Sequence, residues 1–225
     1  KFIKRYKRFF SDHILDDGSL VTAHCANTGA MLGVNKEGVT SWLSKSNDPK
    51  RKLKWSWELV QIDKTIIGIN THNPNKIVQE AIQNNKIKEL IDYSILKREV
   101  KYGTNSKIDI LLQDDSKKDC YVEIKNVHLS REKGLAEFPD AITTRGAKHL
   151  RELSLISKSG LRAVMLYLIQ RNDCNFFKIA QDIDAEYAEE FNNALNAGVE
   201  VICMDTILSN KAIDIGKNIQ LLINK

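Results

Sequence analysis

Lys107-Ile-Asp-Ile-Leu-Leu-Gln-Asp-Asp-Ser-Lys-Lys-Asp-Cys-Tyr-Val-Glu-Ile-Lys125 is the stretch that decides how the larger part of this chain folds. Apolar and polar residues alternate on either side of the polar run at 114–118, the pattern of two strands joined by a turn. A hairpin closing symmetrically about Ser116 pairs positions whose numbers sum to 232, which sets Asp109 opposite Glu123 and Lys107 opposite Lys125. Side chains on a strand repeat every second residue, so these four are expected on one face. Ile110, Leu112, Cys120, Val122 and Ile124 then form the other face, an apolar surface for a core.

Two facing carboxylates repel when both are ionised. With apolar neighbours on both strands, something must offset that repulsion, and a hard divalent cation does so. Mg²⁺ or Mn²⁺ takes one or two carboxylates, keeps several waters and leaves positions for phosphate oxygens. Lys125, two residues past Glu123, would orient or deprotonate the attacking water and balance the charge of a phosphodiester transition state. Asp109, Glu123 and Lys125 are therefore the candidate catalytic set, with Asp109 and Glu123 as metal ligands. The competing reading makes Lys107 and Lys125 neutralising partners of the two acids in a surface cluster. Glu80 is a candidate third ligand, set against a solvated helix face, and Glu99 is an alternative to it.

The surrounding pattern places this hairpin in an α/β sheet domain over residues 65–225. Asn75–Asn84, after Pro74, has apolar residues at helical spacing, and Ser94–Lys101 reads as a strand. Asp140–Ser157 reads as a helix burying Ile142, Leu150, Leu153 and Ile156. Leu161–Ile169 is almost continuously apolar, as expected of a strand covered on both faces. Ala185–Asn196 is a helix ended by Gly198, and Val199–Met204 is the returning strand. Gln170 and Arg171, at the end of the apolar strand, are candidates for contacting phosphate or the metal's water shell. No Walker-type loop, nucleophile elbow or Ser/His/Asp set is present.

Residues 1–64 read differently, as short strands at Lys1–Phe10, Leu20–His24, Val39–Ser44 and Lys54–Gln61, with Asp16-Asp17-Gly18 as a hairpin turn. A five-strand barrel of the OB type is the natural all-β solution at this length. The chain's whole formal charge of +5 lies here: residues 1–60 hold 11 Lys/Arg and 6 Asp/Glu, the remainder 23 of each. A basic patch beside a neutral domain favours a polyanion such as DNA; a solvated Lys-rich face is the alternative. Pro49-Lys-Arg-Lys-Leu-Lys-Trp-Ser-Trp57 joins four cations to two tryptophans. Lys50, Arg51 and Lys52 are expected phosphate contacts. Trp55 and Trp57 are candidate stacking rings, or else barrel core. Arg5 and Lys7, among alternating cations and aromatics, join the candidate DNA-binding set. So do Arg145, Lys148 and His149, which share a helix face with Glu152 at spacings of three, four and seven; a salt-bridged surface is the alternative there.

No apolar run approaches the roughly 18 residues that span a bilayer. Lys1–Phe10 lacks the uninterrupted apolar core of a secretory signal. The four cysteines form no Cys-x-x-Cys pair, so buried thiols in a reducing cytoplasm are expected, without disulfides or zinc.

Several motifs in order resemble the bacterial and archaeal sugar fermentation stimulation protein A family over essentially the full length. They are Lys4-Arg-Tyr-Lys-Arg-Phe9, His24-Cys-Ala-Asn-Thr-Gly-Ala-Met31, Pro49-Lys-Arg-Lys52, Glu99-Val-Lys-Tyr-Gly103, Ile108-Asp109, Glu123-Ile-Lys125, Phe138-Pro-Asp-Ala141 and Arg145-Gly-Ala-Lys-His-Leu150. Ala26 stands where that family usually has Pro. Lys107 stands where it usually has Arg, keeping the charge and losing the bidentate geometry. The resemblance implies an N-terminal OB-like domain, a C-terminal domain similar to PD-(D/E)xK nucleases, DNA binding and a role in sugar-utilisation gene expression. It assigns Asp109, Glu123 and Lys125 as the nuclease-like triad. A fold can keep a site without its activity. Two readings therefore stay open: a metal-dependent deoxyribonuclease acting on DNA, single strands or junctions included, and a non-catalytic DNA-binding regulator. A hydrolase of small phosphorylated molecules would fit the acids and leave the basic barrel unused.

Overall fold

The structure, a computed structural model, describes residues 1–103 and 106–223. The first six strands are β1 (Phe2–Tyr6), β2 (Phe10–Ile14), β3 (Leu20–His24), β4 (Ser41–Lys45), β5 (Trp55–Ile62) and β6 (Thr65–Gly68). They are ordered β1-β2-β3-β5-β4, with β6 on β5. The circle closes where Phe2 donates its N–H to Val39 O at 3.0 Å and accepts from Gly38 N at 2.8 Å. That closure removes the open edge and makes the sheet an OB-type barrel. The sheet continues past residue 64, because Thr65 and Ile66 pair with Ile62 and Gln61.

Lys1–Phe10, expected as one strand, is two. The chain turns at Lys7 and Arg8, at φ 47° and 62°, values that hairpin turns normally assign to Asn and Gly. Arg5 holds the turn by donating to Arg8 O, and it also donates to Asn27 O and Gly29 O at 2.7 and 3.0 Å. Its guanidinium is therefore used by backbone carbonyls and is not available to phosphate, a correction to its expected role.

The barrel core is built on Phe2, Ala23, Met31, Trp57, Val60 and Ile67. Trp57 is 0% exposed, stacks on Phe2 at 4.5 Å and donates its Nε1–H to Leu59 O at 3.0 Å. It is core and not a DNA-stacking ring. Trp55 is half-buried, with the Lys45 ammonium 5.5 Å from its ring centre.

His13 is sealed against the same core, edge-on to Trp57, with its ring nitrogens bonded to Ser41 Oγ and Ser11 Oγ. Burial, the largest cause, lowers its pKa to about 4. A buried histidine with a depressed pKa stabilises the fold fully above its unfolded value and progressively less as pH falls through the folded one. Between about pH 6.5 and 4 the loss should approach about 3 kcal/mol. Urea titrations at pH 7 and pH 4.5, on wild type and His13→Gln, check this: the variant should lose much of that slope.

Beyond the barrel come α1 (Pro74–Gln83), β7 (Ile95–Tyr102), β8 (Ser106–Asp114), β9 (Lys117–Val127), β10 (Leu129–Glu132) and β11 (Leu135–Phe138). Then follow α2 (Thr144–Lys158), β12 (Arg162–Ile169), β13 (Phe176–Ile179), α3 (Ala185–Asn196), β14 (Glu200–Leu208), β15 (Ile213–Asn218) and β16 (Gln220–Leu222). The main sheet runs β15-β14-β12-β9-β8-β7, parallel at β9-β12-β14 and antiparallel outside. Strand β12 sits at its centre. Val164, Leu166 and Leu168 pack towards α1, and Ala163, Met165, Tyr167 and Ile169 towards α2 and α3. This is why the strand is apolar throughout. A second sheet, β10-β11-β13-β16, was not anticipated; its strands of three or four residues are too short for a periodicity to register.

The β8–β9 register follows the expected sum, with Ile110↔Val122, Leu111↔Tyr121 and Leu112↔Cys120, but by another route. The turn is the two-residue Asp115-Ser116, closed at Asp114↔Lys117, and an irregularity between Leu112 and Asp114 shifts the pairing by one. Helix α2 starts later than expected: Thr143 caps it by accepting from Gly146 N at 3.1 Å, leaving Ile142 before the helix and 75% exposed.

Candidate active site

Strand β9 carries Glu123 and Lys125 beside α2, and β8 carries Asp109 beside the start of α1. The β8–β9 ladder gives way to a side-chain bond at this point: Asp109 Oδ2 accepts from Ile124 N at 2.8 Å, while Oδ1 accepts from Asn75 Nδ2 at 2.8 Å. Each oxygen keeps further lone-pair capacity. Burial, and after it the Glu123 charge, pushes the Asp109 pKa up.

Glu123 is 2% exposed. Its Oε1 accepts from Lys125 Nζ at 2.8 Å and from His149 Nδ1. Its Oε2 is buried with no hydrogen-bonding partner. Burial alone would raise this carboxyl's pKa; the Lys125 ammonium and His149 outweigh it, so the pKa lies below the usual value. The His149 ring is satisfied by the tautomer with its proton on Nδ1, since Nε2 then accepts from Arg145 Nε at 3.3 Å. Buried carboxylate oxygens are normally paired. An orphaned Oε2 next to a second carboxylate and a cation is a donor set that fits a divalent metal plus a phosphate oxygen.

Several expected residues lie elsewhere. Glu80 is exposed on the side of α1 facing Ile213–Ile215, and Asn75 is the α1 residue that meets Asp109. Glu99 and Lys107 form an exposed pair at 3.7 Å, away from the acids. Gln170 is buried and donates to Asn126 Oδ1 at 2.5 Å, and Arg171 is tied to Asp173 and to His128 O. His149 is buried against Glu123 and is not a surface phosphate contact. Arg145 remains exposed, and Lys148 lies 3.7 Å from Glu152 Oε1. Lys7, Lys50 and Lys52 are exposed; Arg51 is half-buried and donates to Ser56 Oγ at 2.6 Å.

Lys125 opens into a cleft of about 370 Å³ between the two domains, whose lining includes Arg8, Asn27, Thr71, Asn126 and His128. Asp140 stitches the domains there: its Oδ2 accepts from Met31 N at 2.8 Å. A Cβ on Gly29 would fall 2.6 Å from Asp140 Oδ1, so the close approach requires glycine. Asn75 and His128 have no local pattern that marks them, and the sequence reads Asp140 only as part of the Phe138-Pro-Asp-Ala141 motif and as the start of a helix.

Comparison with known proteins agrees with this architecture. Residues 3–69 match the model of the SfsA N-terminal OB domain, and residues 72–212 that of the sugar fermentation stimulation protein RE domain. A sugar fermentation stimulation protein homolog of Paramagnetospirillum magneticum is 52% identical over 95% of this chain and 90% of its own length. One of Rhodospirillum centenum is 50% identical over 97% and 94%. Among solved structures, that of Pyrococcus furiosus SfsA in complex with Ca²⁺ superposes with a TM-score of 0.90 at 25% identity, covering 99% of this chain and 94% of that one. With barrel, nuclease-like sheet and full-length relatives in agreement, this chain belongs to the sugar fermentation stimulation protein family.

Proposed function

We propose that this protein binds DNA through its barrel and hydrolyses a phosphodiester bond at Asp109, Glu123 and Lys125. The observation that carries the reading is the buried, unpartnered Glu123 Oε2 beside Asp109 and Lys125. Asp109 and Glu123 would hold Mg²⁺ or Mn²⁺. The Ca²⁺ bound by the Pyrococcus furiosus relative supports a divalent cation in this family. Such an ion, when bound, polarises the phosphate and acidifies a water. The chain's own groups do the rest. Asn75 and Ile124 N–H orient Asp109, and His149 together with Lys125 fixes the Glu123 rotamer. Lys125, at the cleft wall, orients the attacking water and offsets charge on the phosphate as the P–O ester bond breaks.

A second reading, a DNA-binding regulator without cleavage, has one observation in its favour. Among the described residues, no three His, Cys, Asp or Glu side chains converge to hold a metal. Incubating labelled single-stranded, duplex and junction DNA with Mg²⁺ and with Mn²⁺ separates the two. Cleavage lost in Lys125→Ala with metal affinity retained is the expected result. No cleavage and no metal binding would leave the regulator.

Binding itself should be strongly salt-dependent, because each neutralised phosphate releases counterion. Reversing Lys50, Arg51 and Lys52 to Glu should weaken affinity on every sequence and lower the salt slope by about one for each phosphate no longer neutralised. Unchanged titrations by fluorescence anisotropy would move the surface to the Arg145 and Lys148 side of α2.

A further inference from the structure

Three rings that the site does not use form a row on the barrel's outer side, beside the cleft. Phe9 and His24 lie 6.3 Å apart at 3° between planes, and His24 and His72 lie 6.2 Å apart at 25°. Phe9 is 45% exposed and His72 is exposed. The β2–β3 pairing sets Phe10 opposite His24 and so brings Phe9 beside it. His72 arrives from the segment leaving the barrel, anchored where Thr71 donates to Ala26 O at 3.0 Å. Arg8 and Thr71, the neighbours of Phe9 and His72 in the chain, line the cleft that ends at Lys125. Arg51 is near enough to act on His24, whose pKa is lowered first by burial and then by Arg51 and His72.

Inside the cleft, two buried side chains each carry a nitrogen without a hydrogen-bond partner. Asn27, 3% exposed, has a free Nδ2, and His128, 4% exposed, has a free Nδ1. His128 Nε2 is 3.3 Å from Asp140 Oδ2, so Nδ1 is the ring nitrogen left to a ligand. Buried donors left unpaired are costly unless a ligand meets them. Two exposed rings flanking a half-buried one, followed by cations and orphaned donors and leading to a phosphodiesterase-type triad, match the requirements of one nucleic-acid strand: stacking for bases, charge for backbone. A duplex presents its bases already stacked and cannot use the rings.

We infer that single-stranded DNA lays its bases across Phe9, His24 and His72 and passes Arg8 and Asn27 into the interdomain cleft towards Lys125. This rests on the proposed nuclease reading for what happens at the end of the path, and on the rings and cleft alone for the path itself. Fluorescence anisotropy with a labelled oligothymidylate and with a blunt duplex, both in EDTA, tests it on the full chain. Phe9→Ala and His72→Ala should each weaken oligothymidylate binding about tenfold, the size expected for losing one base–ring stack, and leave duplex binding within about twofold. Both side chains are exposed, so melting temperatures should match wild type; should Phe9→Ala unfold, His72→Ala carries the test. Wild-type affinity in the folded variants, or equal weakening on the duplex, would overturn the path. Mn²⁺ calorimetry on the same proteins keeps the two ideas apart. A path that responds in a protein without metal binding leaves the strand site standing and removes the nuclease. Metal-dependent cleavage in a protein whose ring variants bind normally does the reverse.

Discussion

Asp109→Asn and Glu123→Gln should both abolish Mn²⁺ binding and reduce any metal-dependent cleavage by on the order of a thousandfold or more, the loss expected when several kcal/mol of metal-derived stabilisation go. Their effects on folding should differ. Asp109 is pushed towards its neutral form by burial and by Glu123, so removing its charge relieves repulsion. Its bond from Ile124 N survives in Asn, and the Asn75 amide must only turn over. The variant should stay within about 1 kcal/mol of wild type. Glu123 is the counter-charge of a largely buried Lys125, whose side chain is 14% exposed. Glutamine there strands the ammonium, so a loss of about 3 kcal/mol is expected, the lower end for breaking a buried ion pair. Calorimetric titration with Mn²⁺ and denaturant melts of both variants read this out. Retained Mn²⁺ affinity in both would remove these acids from the metal site, and equal stabilities would mean that Lys125 does not depend on Glu123.

Trp57→Ala should be the most damaging single change in the barrel, costing about 3–5 kcal/mol. Its ring fills the centre of a small core, stacks on Phe2 and supports the edge of His13. A barrel of this size has few other large side chains with which to close the hole. Trp55→Ala, at a half-buried ring, should cost far less. Urea unfolding of the full chain, followed by circular dichroism, compares them. A Trp57→Ala protein as stable as wild type but defective on DNA would restore this ring to the binding surface.

These two cases show where local sequence stops being informative. Residues 107–110 and 122–125 alternate with period two, and 163–169 is apolar throughout. Ala185–Asn196 has helical spacing between an Asp184 cap and Gly198 at φ 88°. Such patterns are set by the backbone's own repeat and by the need to hide one face or both, so strand, helix and central position could be read directly. That Asp109 and Glu123 come close was legible for the same reason, although the ladder stops at Ile110↔Val122 and Asp109 accepts from Ile124 N in place of a backbone pairing.

What packs against a face is not written within the face itself. Trp55 and Trp57 share a strand and a residue type, and only the arrival of Phe2 and His13 from β1 and β2 makes one of them core. Arg145, Lys148, His149 and Glu152 form a helix stripe that local charge marks as surface; α2 lies against β9, and His149 is drawn in by Glu123. Asn75, and not Glu80, reaches Asp109, because the start of α1 and not its middle meets that point of the sheet. The sequence by itself marked an OB-like barrel followed by an α/β sheet domain, with its longer strands and helices, and it singled out the three residues proposed as the triad. The tertiary structure decided which neighbours orient that triad and which surface leads to it. Burial and hydrogen-bond satisfaction depend on partners far away in the chain, and no local repeat encodes them.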